Sequence, residues 1–524
     1  MPAQSTGPMT TLRVCIASSF ACAFAIFAFV AARGFTGSRL AAAVTAACVA
    51  AFVAWTFLRF TILTLAEENG SRALKLISAL VTIAALFQLA RVCIFMINPA
   101  QVGAAFGPMR GLGLIPDHSC LSSYYVTARS IATTPNVYAD DLYSFPYTTP
   151  TAQRKPRRLE SFNIDVYEYP PPFLLVPRAL LTLAPNFLQF RMVWFALNGA
   201  ILLLGVIVVA RALGPVAGTR ALLFSPLLLV SDYTLNTLQV GNLQAIIFSL
   251  TMISMVLLTR PRHAFGSAPA HTIAEASGGL LLAYATVSKL FPGMLLVYFL
   301  VRRSWRAVAW TTTSIAVLVA VSLFDTGSAP YHAFLAHLPR LLSGESFPAF
   351  RAPIAIAKNY SVPGMAFKLH LFGVAGASFA AMRVVGWIYT VVVLAATVLV
   401  ARRTTTRERE PLIWLTLLIL ASLRSPFLPG YAIIPVLWLL TLLAATVAPT
   451  AKTLWLVLLA WAVLNIPLSQ AIEDPRLLSV ILLLPQAAIV ILIVLALRSR
   501  SDSHAPPPSE LGSRTLLKTA TTLA

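Results

Sequence analysis

Apolar residues run along this chain in long blocks, each ended by a short cluster of polar or cationic residues. The blocks cover roughly 11–32, 39–64, 72–97, 191–212, 218–232, 238–258, 305–324, 378–400, 411–423, 427–447, 453–469 and 476–497. About 20 consecutive apolar residues form a helix long enough to cross a hydrocarbon core of about 30 Å. Inside lipid, a single segment can satisfy its own backbone hydrogen bonds only as a helix. The pattern therefore predicts an all-α polytopic membrane protein with about 12–14 spans. The stretch 277–301 is interrupted by Pro292-Gly293. It is expected to form a re-entrant pair of half-spans that meet at Lys289-Leu290-Phe291-Pro292.

Composition agrees. Of 524 residues, 58% are hydrophobic and only 11% charged, against about 25% charged in soluble domains, and the mean hydropathy is +0.80. A net charge of +21 would suggest a nucleic-acid partner in a soluble chain. Here the cations end apolar segments, where they set topology by lying on the cytoplasmic side, so no nucleic-acid partner is expected. With the N-terminus inside, Arg72 and Lys75, Arg211 and Arg220, Arg260 and Arg262, Arg302, Arg303 and Arg306, Arg402 to Arg409, Lys452, and Arg498 and Arg500 all fall in inner connections. That alternation holds only if 277–301 dips in and returns.

Two long segments then lie outside, 98–190 and 325–376, both rich in polar residues. Loops of this length usually carry function. Residues 1–66 read as a two-span extension, 67–498 as the membrane core, and 499–524 as a disordered cytoplasmic tail containing Pro506-Pro507-Pro508. The first apolar run exceeds signal-peptide length and reads as a retained span. Cys15, Cys22, Cys48 and Cys93 sit in apolar runs and are expected to be buried, while Cys120 sits in a polar loop. Without a Cys-x-x-Cys pair, neither a disulfide framework nor a zinc site is expected. His332 and His337 lack nearby acidic ligands, so no metal site is assigned.

Candidate chemistry gathers toward the outer side. Asp117 opens the run Asp117-His118-Ser119-Cys120-Leu121-Ser122-Ser123-Tyr124-Tyr125. If the run is helical, Tyr124 shares its face; Asp117 is then either a general base for an acceptor hydroxyl or an ordinary loop aspartate or helix cap. In Phe162 to Phe173, Tyr169-Pro170-Pro171-Pro172 is expected to hold an extended backbone. The cluster Asn236-Thr237-Leu238-Gln239-Val240-Gly241-Asn242-Leu243-Gln244 opens a span, its amides, Gln239 and Asn242 among them, either packing helices or lining a site. Lys289 and Arg424 are cations at membrane depth. Each either faces a polar cavity or snorkels to the surface.

These residues, in this order, resemble glycosyltransferase family 87 of the integral-membrane GT-C glycosyltransferases. The matching features are an acidic residue followed by tyrosines, then Tyr169-Pro170-Pro171, then the Gln/Gly/Asn cluster. Lys289-Leu290-Phe291-Pro292 with Arg302-Arg303-Ser304-Trp305-Arg306, and Ser425-Pro426, complete the pattern over about 70–498. The tyrosines lie farther from Asp117 than is usual in the family, and Asp140, Asp141 and Asp165 are rivals for its role.

The resemblance implies a GT-C fold in the cell membrane. It implies transfer of a hexose, mannose among the candidates, from a polyprenyl-phosphate sugar to a glycolipid or polysaccharide acceptor on the extracytoplasmic face, with inversion. Asp117 would be the base and Lys289 and Arg424 the phosphate-binding cations. Tyr124, Tyr169, Pro170, Gln239, Asn242 and Ser425 would line the substrate pocket, and no cofactor is implied. The alternative is a transporter or flippase of lipid-linked glycans. That reading expects inverted halves, and none is evident.

Overall fold

The structure is a computed structural model that describes residues 11–59, 72–106, 118–134, 136–139, 142–143, 157–260, 267–403, 406–466 and 472–498. Asp117, Asp140, Asp141 and the tail after Arg498 lie outside the described residues.

The helices are α1 (Thr11–Thr36), α2 (Arg39–Arg59), α3 (Arg72–Ile97), α4 (Cys120–Ser130), α5 (Leu175–Leu183), α6 (Phe187–Ala212), α7 (Pro215–Leu229), α8 (Asp232–Val240), α9 (Gln244–Thr259) and α10 (Ala268–Ser288). There follow α11 (Met294–Val301), α12 (Trp305–Thr326), α13 (Ala329–Ser343), α14 (Pro353–Ala357), α15 (Met365–His370) and α16 (Phe379–Ala401). The last are α17 (Glu410–Ser422), α18 (Ile433–Thr446), α19 (Ala451–Leu464), α20 (Pro475–Ile481) and α21 (Leu483–Arg498). Three very short strands, β1 (His118–Ser119), β2 (Arg158–Leu159) and β3 (Phe162–Ile164), form a sheet in the order β1-β3-β2.

The protein is therefore an all-α polytopic membrane protein. Among the described residues, seven helices are long and apolar enough to cross a membrane, and the pair α7 and α8, bent by 66°, makes an eighth candidate. Most of the other predicted spans are apolar helices of 10–17 residues, including α9, α17, α18 and α19. The core is built on α6, α9, α17 and α18, whose Trp194, Trp414 and Trp438 are fully buried. Around them, α2, α3 and α16 turn Phe52, Leu80, Ile83, Phe87, Ile388 and Val391 outward. A belt of exposed large apolar side chains is stable only against lipid. The α1–α2 hairpin joins the bundle through α1, where the Phe27 ring packs against Gly199 and, at 5.3 Å, the Phe195 ring.

Several of the cations expected on the inner side meet at one end of the bundle. Arg306 pairs with Glu275, Arg302 with Glu410 at 3.4 Å, and Arg260 lies close to Arg211 and Arg407. This end gathers the end of α9, the start of α10, the α11–α12 turn and the start of α17. At the other end, Arg178 of α5 pairs with Asp325 near the end of α12 at 2.6 Å.

Several expectations need correction. The first limb of the re-entrant pair is longer than expected, because α10 starts at Ala268 rather than near 277. Ser267 caps it with Pro269 in the first turn. The polar His271 and Glu275, which fall in the added turns, are satisfied by each other and by Arg306. The chain still turns at Lys289 and returns, through the short α11, to the level of Glu275. The spans expected at 218–232 and 238–258 are cut differently, into α7, α8 and α9, with a left-handed Gly241 closing α8.

The three prolines do not stay extended either. Pro170 is extended, but Pro171 and Pro172 start a 3₁₀ turn that leads into α5, positions where a helix needs no amide donor. A continuous helix from 117 to Tyr124 does not form, since His118–Ser119 is a strand and α4 begins at Cys120. Cys15, Cys22 and Cys48 are exposed on the outer helix faces, whereas Cys93 and Cys120 are buried.

Arg191, fully buried on α6, ties the early loop to this frame. It donates to the carbonyls of Phe95 and Met96 at 2.9 and 3.1 Å, where α3 ends. Its guanidinium lies 4.5 and 4.8 Å from the ring centroids of Phe95 and Phe162. A buried cation held this way fixes β3 against the helices.

Candidate functional site

At the end of the bundle away from the paired cations, a cavity of about 740 Å³ opens among the early loop, the α8–α9 junction, the Lys289 turn, α16 and the segment after α17. Its placement follows from helix direction. The C-terminus of α10, the N-terminus of α9 and the C-terminus of α17 all point here, because their opposite ends hold the inner cations.

The early loop supplies one wall. β1 pairs in parallel with β3, His118 opposite Asn163 and Ser119 opposite Ile164. That register sets Asp165 beside Cys120. Ser122 Oγ locks it, donating to the Asn163 carbonyl at 3.0 Å and accepting from the Asp165 amide at 2.9 Å. Tyr124 donates its hydroxyl to that of Tyr169 at 2.8 Å, and its ring meets Tyr169, Phe173 and Trp194 edge-on at 4.9–5.6 Å. Burial pushes both phenols well above their usual range, so they act as neutral hydrogen-bonding walls. Tyr138 donates to the Tyr169 carbonyl at 2.7 Å and holds the start of the Tyr-Pro-Pro run.

The α8–α9 junction supplies the second wall. Gly241 has φ +74, its carbonyl accepts from Trp194 Nε1 at 2.9 Å, and a Cβ placed on it would lie 2.9 Å from Leu121 Cβ. Asn242 Oδ1 accepts from the Gln244 amide at 2.9 Å while its Nδ2 reaches Cys120 Sγ at 3.5 Å. Gly241→Ala is thus expected to combine backbone strain with a clash, costing about 1–3 kcal/mol locally, and to push Asn242 and Leu121 apart. A lower thermal midpoint together with reduced transfer in purified protein checks this; unchanged values in both would show that the junction tolerates a side chain.

The cationic side chains complete the site. Lys289 Nζ donates to Gln244 Oε1 at 2.7 Å and sits 5.7 Å from the Tyr169 ring centroid. The Nε2 of Gln244 is buried and makes no protein hydrogen bond, so it is a donor available to something in the cavity. Arg424 donates through Nε to Thr390 Oγ1 at 3.2 Å and lies over the Trp387 ring at 5.7 Å. The Ser425-Pro426 segment is clasped from outside: Asn359 Nδ2 and Ser361 Oγ both donate to the Pro426 carbonyl, at 3.0 and 2.6 Å, and the Leu428 amide returns to Asn359 Oδ1 at 2.8 Å. Neither distant loop is adjacent in sequence, so only the fold joins them.

Of the residues singled out in sequence, Tyr124, Tyr169, Pro170, Asn242, Lys289, Arg424 and Ser425 line this one cavity. Gln239 is not among its lining residues; its amide is held by the Phe106 backbone, with bonds of 2.6 and 2.8 Å. Asp117 and its rivals Asp140 and Asp141 lie outside the described residues, while the rival Asp165 lines the cavity. Glu168, Trp387 and Thr390, given no role in sequence, line it too, as does Gln244, which was weighed only as part of the boundary cluster. Gln244 carried a usable signal, being the polar residue that begins a long apolar helix.

Fold and site define an integral membrane protein with a polar cavity at one end of its helix bundle. The model of glycosyltransferase family 87 matches residues 167–429, half of the chain, and the chain belongs to that family. It is a glycosyltransferase. No curated protein and no solved structure matches the chain.

Proposed function

We propose that the protein transfers a hexose from a polyprenyl-phosphate sugar to a glycolipid or polysaccharide acceptor at the extracytoplasmic face of the cell membrane, with inversion. The observation that carries this reading is a single cavity that combines two cations, Lys289 and Arg424, with lining residues that reach the apolar outer surface. The cavity-lining residues Leu290 and Trp387 are 54% and 57% exposed on the apolar outer surface. A donor whose lipid lies in the bilayer and whose phosphate is held by cations fits such a cavity.

In the proposed reaction the acceptor oxygen bonds to the anomeric carbon as the bond from that carbon to the phosphate oxygen breaks. The polyprenyl phosphate leaves with the electron pair, its charge stabilised by Lys289 and Arg424. The acceptor proton passes to a carboxylate of the early loop, for which Asp117 is proposed, next in the chain to the cavity-lining His118. A phosphate leaving group needs no general acid, unlike the carboxylate pair of a glycosidase.

Purified protein supplied with a polyprenyl-phosphate hexose is expected to glycosylate an acceptor extracted from its own envelope, detected by mass spectrometry. Transfer from a nucleotide sugar instead, with none from the lipid-linked donor, would overturn the proposal. Comparing envelope glycans with and without the gene identifies the hexose.

A further inference from the structure

The early loop brings together three side chains of which two, His118 and Cys120, have no part in the proposed transfer. His118, Cys120 and Asp165 present a ring nitrogen, a sulfur and a carboxylate oxygen that all lie within 4.8 Å of one another. Cys120 Sγ and His118 Nε2 are 3.6 Å apart. Bonds of about 2.3 Å to sulfur and about 2.0 Å to nitrogen in a tetrahedral zinc site hold those atoms roughly 3.5 Å apart.

The cluster is built, not accidental to loop drift. The β1–β3 register brings His118, on β1, close to Asp165, the residue that follows β3, and the Ser122 hydroxyl pins the Asp165 backbone. Asn242 donates to the sulfur from a different part of the fold, the kind of outer partner that orients a metal ligand. All three ligand residues line the cavity, so a fourth coordination position would face it, as in catalytic zinc sites with three protein ligands.

We propose that His118, Cys120 and Asp165 bind a divalent transition-metal ion of the zinc class, with an open position directed into the cavity. A mixed nitrogen, sulfur and oxygen set favours such an ion over magnesium or calcium, which take oxygen ligands. The open position would accept water or a phosphate oxygen. The site is argued from these three residues and does not depend on the identity of the sugar donor.

The test uses the purified full-length protein in detergent, loaded separately with Zn²⁺ and Co²⁺ and freed of excess by buffer exchange, without substrate. The expected result is about one zinc ion per chain and a sulfur-to-cobalt charge-transfer band in the near ultraviolet. Cys120→Ser should abolish the band and weaken zinc binding by more than about 100-fold, since even outer-shell changes cost 10–100-fold. Asp165→Asn should weaken binding while keeping the band, and Cys48→Ser, at an exposed distant cysteine, should change neither. Wild-type protein that retains no zinc and shows no band, or Cys120→Ser protein that binds zinc as tightly, would overturn the site and leave a hydrogen-bonded polar trio. Because metal content is read without turnover, failure here is distinguishable from failure of the transferase reading.

Discussion

Lys289→Met is expected to lower kcat/KM for the lipid-linked donor by about 10²–10³-fold, the usual loss when one preorganised charge-stabilising donor is removed, with little change in the acceptor KM. The ammonium sits at the turn between α10 and α11, where its neighbours are the Gln244 amide oxygen and the face of Tyr169. An amide and a ring orient the cation, and the Glu168 carboxylate of the same cavity acts on it electrostatically. A cation this deep is retained where it meets an anion or lines a polar pathway. Methionine keeps the length and apolar bulk of the stem, so packing against Tyr169 should survive and only the charge is lost. Steady-state kinetics with the donor and the acceptor varied in turn separate the two contributions. An unchanged donor kcat/KM would remove Lys289 from phosphate binding.

Asp117→Asn is expected to leave the protein folded in the membrane and to reduce sugar transfer by about 10²–10⁴-fold, the range for loss of a positioned general base. The amide matches the carboxylate in size but cannot take up the acceptor proton. Asp165→Asn, made in parallel, tests the rival that lines the cavity. Full transfer by Asp117→Asn together with loss in Asp165→Asn would move the role to Asp165. The measurement is product formed per folded protein, with size-exclusion behaviour in detergent as the control for folding.

Much of the architecture was legible because lipid imposes a one-dimensional rule. A run such as 378–400 must be a helix wherever it packs, and α16 covers Phe379–Ala401. Boundaries failed where polar residues found tertiary partners. The stretch 277–301 begins too late, because Glu275 and His271 belong to α10, where Arg306, 31 residues on from Glu275, pairs with that carboxylate. Of the cavity-lining residues singled out in sequence, Tyr124, Tyr169, Pro170 and Ser425 stood out by motif order, while Lys289, Arg424 and Asn242 stood out because their chemistry is costly in a membrane. Gln239 carried the same signal, but its amide closes on the Phe106 backbone instead; an amide at a helix boundary does not announce which partner it will find. His118 and Cys120 were passed over because two ligands separated by one residue mean little until a third arrives.

The sequence by itself determined the membrane class, the helical content and the resemblance to a glycosyltransferase family, since each follows from local composition or from motif order. Tertiary structure alone decided that Asp165, Asn242, Lys289 and Arg424 share one cavity, and that β1 lies beside β3. The physical reason is distance along the chain: a parallel strand pair 45 residues apart, His118 with Asn163, and a clasp from Asn359 to Pro426 leave no periodic trace, because nothing in either partner alone encodes the other.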